Sequence, residues 1–166
     1  AILYPTTAKR PLNPKPDRRN GDPVNLLHTG PLEKLATLSA SIDVMTDLGE
    51  TNPLELTVLT TGQARYVMPI VRRARANKIP VDWKGDEYDF EKELEKADAI
   101  LAADPPHLSP REVRALLSRR PLLYSVRDLS DLANGDTEEL KARSEKQRLN
   151  HQPRIYIDSL RKIIKP

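Results

Sequence analysis

Cysteine is absent from all 166 residues. That removes disulfides, thiolate metal sites, iron–sulfur clusters and cysteine nucleophiles together. Aromatic residues are few: one Phe, one Trp and five Tyr. No stacking pair of the kind used by single-stranded RNA binders is present, so any RNA contact would go to the phosphate backbone. No apolar run approaches the ~18 residues needed to span a bilayer, and no charged-then-apolar signal segment opens the chain. There is no G-x-G-x-x-G, no P-loop lysine and no His/Asp/Glu grouping with ligand spacing, so neither a cofactor nor a metal is expected.

What is there falls into two parts. Six of the fifteen prolines lie in residues 1–31, and the net charge of that stretch equals the +3 of the whole chain. Each proline removes a backbone donor and biases its predecessor to extended geometry. Asn20-Gly21-Asp22-Pro23 is turn chemistry. Residues 1–30 therefore read as an extended basic, Pro-rich N-terminal arm, and residues 31–166 as a single α/β domain. Leu26 and Leu27 would fix the root of the arm to the body. Lys9, Arg10, Arg18 and Arg19 would supply its attraction to a partner.

The body alternates two periodicities. A helix is expected from Pro31 to about Gly49, with Leu35, Leu38, Ile42 and Met45 on one stripe. Strands are expected at 54–61, 79–83, 98–103 and 121–126, with a fifth at 154–158. Helices are expected at 63–78, 90–97, 109–120 and 127–135, followed by a helical or frayed 137–149. Ser109, Pro110 and Glu112 form a strong helix start, and Gly135 a strong stop. Strands separated by helices predict a mostly parallel, four- to five-stranded Rossmann-like sheet with helices on both faces.

In such a sheet ligands bind outside the carboxyl ends of the strands. Thr61 and Gly62 lie at the end of the strand expected at 54–61, where a helix start is suited to phosphate. Asp104 and His107 follow the strand expected at 98–103 and offer a base and its orienter, the basis of a small hydrolase or transferase. Asp128 reads either as part of a carboxylate cluster or as a salt bridge to Arg127. Arg72, Arg73 and Arg75 mark a contact for phosphate or an acidic partner, although they also read as a solvated face balanced by the acidic block at 82–98.

The stretch from 97 to 158 resembles, in its order of strand, helix, "RPLL" strand and late "RIYI" strand, the small periplasmic sensor domains that restrain bacterial diguanylate cyclases. That resemblance implies no activity here. The arm favours a non-catalytic accessory subunit of a large assembly, bound to other protein subunits and to RNA backbone. A chain beginning at Ala1 fits a cleaved leader, which favours a mitochondrial ribosome or respiratory complex. A ligand-binding or sensor domain is the alternative.

Overall fold

The computed structural model describes residues 12, 22–29, 42, 43, 45–48, 53–59, 64–84, 89–102 and 108–151. Five strands form one sheet: β1 (Val24–Thr29), β2 (Leu54–Leu59), β3 (Val81–Trp83), β4 (Ala99–Leu101) and β5 (Leu122–Leu123). Their order is β3-β2-β1-β4-β5, and every neighbouring pair is parallel. Five helices follow in chain order: α1 (Ala64–Ala76), α2 (Phe90–Lys96), α3 (Pro110–Leu117), α4 (Val126–Asn134) and α5 (Glu138–Asn150). Residues 42, 43 and 45–48 are helical as well. The Rossmann-like sheet expected from the alternation of patterns is the fold.

The centre of that sheet is the unexpected part. Val24–Thr29 lies inside the stretch read as an arm, yet it pairs along its whole length with β2 and through Leu26–His28 with β4. The α/β unit therefore takes in residues before 31, and the division at residue 30 moves towards the N-terminus. Leu12 also packs on the body, and its N–H donates to Ser118 Oγ at 3.3 Å. Lys9, Arg10, Arg18 and Arg19 fall outside the described residues, as does the strand expected at 154–158.

Strand alternation divides β1 between two cores. Val24 and Leu26 face Ile42 and Met45, together with Val67, Val71 and Ala74 of α1. Leu27 faces the other way, into a cluster with Leu59, Leu94, Ile100, Ala115 and Leu116. Helices thus cover both faces, as right-handed crossovers require.

Three prolines of the body have a shared position. Pro53, Pro80 and Pro121 each stand just before a strand, where no ladder donor is needed. Their carbonyls accept from Val24 N, Leu56 N and Ile100 N at 2.8–2.9 Å. Pro69 sits inside α1 on its exposed side. Ser109 and Glu112 form the expected reciprocal capping box of α3, with Pro110 in its first turn. Ser125 and Asp128 form a second box for α4, so the strand expected at 121–126 ends early: its last residue, Val126, is helical. Gly135, at φ 80°, ends α4 in the left-handed region that glycine adopts freely.

Buried charge is paired. Arg114 is 3% exposed and meets Glu91 in a two-pronged contact, Nε–Oε1 3.0 Å and Nη2–Oε2 2.7 Å. Arg120 is buried and donates to the carbonyls of Leu94 and Glu95 in the last turn of α2, each at 3.3 Å. Burial lowers its guanidinium pKa, against the opposing charges of Asp98 and Glu95.

Candidate functional site at the carboxyl edge of the sheet

Because all five strands are parallel, their carboxyl ends share one edge. The connections reverse direction between β1 and β4, the point where open α/β sheets form a ligand crevice. Thr29 ends β1 there, in register with Leu59. Ala102 follows β4 and donates its N–H to Leu123 O at 2.9 Å. His28 and Thr29 are buried at 2% and 1% exposure. Thr29 Oγ1 has no hydrogen-bond partner among the described residues. Thr61, Gly62, Asp104 and His107, the sequence candidates on this edge, fall outside the described residues.

A polar cluster stands beyond the end of β5. Asp128 Oδ2 accepts from Tyr124 N at 2.7 Å and Ser125 N at 3.2 Å, while Oδ1 accepts from Arg143 Nη1 at 2.8 Å. Arg143 Nη2 donates to Leu122 O at 3.0 Å, and its guanidinium lies 5.3 Å from the centre of the Tyr124 ring. Gln147 Nε2 donates to Tyr124 Oη at 3.1 Å. These contacts bring α5 back along the sheet to its carboxyl edge. Arg127 does not bind Asp128; it pairs with Asp131 and Glu139 on the surface. Burial pushes the Tyr124 hydroxyl above its ordinary pKa.

Burial alone would raise the Asp128 carboxyl, but the Arg143 hydrogen bond and the Tyr124 N–H outweigh it and hold the group below its ordinary 3.8. The folded chain therefore binds this proton less readily than the unfolded one. The resulting stabilisation is complete above pH 3.8 and is lost as pH falls through the lower folded value. Asp128→Asn is expected to reduce stability at neutral pH and to flatten the acid limb. Urea midpoints measured between about pH 6 and pH 2 check this; an unchanged acid limb would place the titration elsewhere.

The helix starts at this edge differ in charge. Among the described helices, α2, α3 and α4 each follow a strand and open with a carboxylate in the cap or first turn: Asp89 and Glu91, Glu112, and Asp128. Those acids already occupy the exposed amides and neutralise the positive end of the helix dipole. The first turn of α1 has no acid and carries Arg65, whose Nη2 donates to Tyr66 Oη at 2.9 Å. A helix N-terminus left uncompensated is where an anion is held best.

Arg72, Arg73 and Arg75 are exposed on α1, but Arg72 alone is already about 12 Å along the axis from the helix start. They do not join this edge. Arg73 pairs with Asp43. Two acids of the 82–98 block have partners elsewhere. Glu93, 6% exposed, binds Lys84 at 2.9 Å and Lys96 at 3.1 Å, and Glu91 binds Arg114. A cavity of about 540 Å³ lined by Met45, Pro53, Leu54, Lys78 and Pro80 opens at the amino ends of β2 and β3, the opposite edge. Among the described residues no group of three or more His, Asp or Glu side chains could hold a metal ion. No described helix is long and apolar enough to cross a membrane.

Sequence reasoning missed Thr29, Tyr124 and the pairing of Arg143 with Asp128. Thr29 had a signal, since it closes VNLLHT, a run broken on either side by Pro23 and Gly30-Pro31.

No protein-family model matches the chain, and no curated protein matches its sequence. Solved structures do share its fold. One is the pneumococcal O-GlcNAc transferase GtfA in complex with UDP and GlcNAc, at TM-score 0.64 and 13% identity, over 92% of this chain and 37% of GtfA. Another is the catalytic domain of the cholesterol-α-glucosyltransferase from Helicobacter pylori, at TM-score 0.58 and 12% identity, over 78% of this chain and 98% of that one. The fold is thus a Rossmann-type α/β unit of the kind found in glycosyltransferases. This chain spans little more than a third of GtfA.

These neighbours overturn the expectation of a non-catalytic accessory subunit. Both are catalytic transferases, and neither is part of a ribosome or a respiratory complex by description. The reading as no enzyme rested on the same arm and falls with it, and the mitochondrial placement, drawn from a chain beginning at Ala1, finds no support in these neighbours. Part of the stretch read as an arm, Val24–Thr29, supplies the central strand of the chain's own sheet.

Proposed function

We propose that this chain is the nucleotide-sugar-binding unit of a glycosyltransferase and takes a nucleoside-diphosphate sugar at the carboxyl edge of its sheet. The observation that carries the reading is the all-parallel 3-2-1-4-5 sheet, reversing between β1 and β4, on a fold shared with two transferases. GtfA is described with UDP and GlcNAc, which makes a UDP-linked hexose the first ligand to test.

In sugar transfer the bond from the anomeric carbon to the diphosphate oxygen breaks. A bond from that carbon to the acceptor oxygen forms, the acceptor loses its proton, and the nucleoside diphosphate leaves. The charge that grows is on the leaving diphosphate. The uncompensated start of α1, with Arg65, offers it the positive end of a helix dipole and a guanidinium. Binding of the acceptor is assigned to a second unit of a longer enzyme, in keeping with the 37% share of GtfA.

Calorimetric titration of the purified chain with UDP, UDP-GlcNAc, UDP-glucose and free GlcNAc tests this. UDP and at least one UDP-sugar are expected to bind with Kd in the range of about 1 μM to 1 mM typical of enzyme substrates. Free GlcNAc is expected to bind far more weakly. Arg65→Gln is expected to weaken UDP at least severalfold. Silence from every nucleotide would dismiss the reading.

A further inference from the structure

Helix α1 carries four arginines, Arg65, Arg72, Arg73 and Arg75, and no acidic residue. Each of α2 to α5 mixes both signs; α5, of the same length, has three acids beside four bases. The core decides where the α1 charges point. Val67, Val71 and Ala74 are buried on the sheet, so Tyr66, Pro69, Arg72 and Arg73 form one exposed stripe, with Arg75 on its flank. Arg72 and Arg75 have no acidic partner among the described residues. Arg73 meets Asp43 through side chains 49% and 57% exposed, a contact of little strength in water. The stripe therefore keeps most of its positive charge for an outside partner.

We propose that this stripe rests on the anionic surface of a lipid bilayer, with Arg72, Arg73 and Arg75 on the headgroup charges. Four features select that partner. The cations of the helix are all arginine, whose planar fork matches phosphate oxygens. The stripe is the outer side of a helix, a ridge and not the groove in which single-stranded nucleic acid is tracked. Its one aromatic, Tyr66, is 50% exposed, and an amphipathic ring of this kind sits at headgroup level, whereas stacking successive bases takes several. The apolar side of α1 is already used in the core, so the helix lies against the surface without inserting. The inference stands apart from the nucleotide-sugar reading, because these three arginines do not join the carboxyl edge.

Co-sedimentation of the chain with vesicles tests it, using phosphatidylcholine alone and phosphatidylcholine with about a third phosphatidylserine. The chain is expected on the anionic vesicles only, and to leave them as salt rises from about 0.05 M to 0.5 M. Replacing Arg72, Arg73 and Arg75 by glutamine is expected to weaken vesicle binding by about fivefold per residue, about a hundredfold in all. Replacing all three by lysine keeps the charge and is expected to keep most of the binding. Arg127→Gln with Lys141→Gln and Lys146→Gln removes the same charge from α4 and α5 and is expected to cost far less.

Equal binding to both kinds of vesicle, or to neither, would overturn the proposal. So would an unchanged affinity of the glutamine variant, or an equal loss in the α4 and α5 variant, which would make the attraction one of net charge alone. Tighter binding to single-stranded RNA than to anionic vesicles would assign the stripe to nucleic acid instead. If the glutamine variant loses its cooperative thermal transition, the lysine variant decides: a loss as large as that of the glutamine variant would exclude a contact made by charge.

Discussion

A chain that begins at residue 30 is expected not to fold. Removing β1 takes the middle strand out of a five-stranded sheet and exposes the inner edges of β2 and β4 at once. Val24, Leu26 and Leu27, all at most 1% exposed, would leave two cores rather than one. Truncating a single buried leucine to alanine costs about 2–5 kcal/mol, so losing three apolar side chains with their strand consumes the ~5–15 kcal/mol that holds a domain together. Circular dichroism with urea titration should show no cooperative transition. A truncated chain that still unfolded cooperatively near the original midpoint would refute the strand order. Leu26→Ala, a milder probe, should lower stability by about 2–5 kcal/mol with the fold retained.

Glu91→Ala should be nearly as damaging as a core truncation, although Glu91 lies at the surface end of its pair. Its side chain is 24% exposed, while that of Arg114 is 3% exposed. Removing the carboxylate takes the two-pronged partner away from a buried guanidinium, and broken buried pairs of this kind cost about 3–5 kcal/mol. At roughly 2–4 °C per kcal/mol for a chain of this size, Tm should drop by about 10 °C. Replacing both partners together, Glu91→Leu with Arg114→Met, should recover most of the loss, because neither charge of the pair then has to be desolvated. A single-variant loss below about 1 kcal/mol would mean that water reaches Arg114 and that the pair behaves as a surface bridge.

The patterns that were readable in sequence were the local ones. The capping box of α3 lies within four residues, and Ser109, Pro110 and Glu112 announce it directly. The β-branched run at 54–59 and the alternation of strand with helix likewise depend on neighbours only. β1 was hidden because a central strand alternates between two buried faces and so lacks a polar side, and because Pro23 and Pro31 frame it with turn chemistry. The placing of the charge blocks depends on topology. α1 packs on the face of the sheet that holds Leu26, α2 on the face that holds Leu27, so the two helices lie on opposite faces. Of the candidate site, strand ends were foreseeable from the fold class. The partnership of Asp128 with Arg143 was not, since it needs α5 to double back over fifteen positions.

That unequal treatment of the helix starts has a consequence for how a ligand arrives. At the starts of α2, α3 and α4 a carboxylate already holds the free amides, whereas the first turn of α1 has no acid, so the positive end of the dipole is cancelled at three places and not at the fourth. An anion that binds this edge is therefore expected nearer the β2 side than the β5 side, and its attraction should weaken as salt is raised.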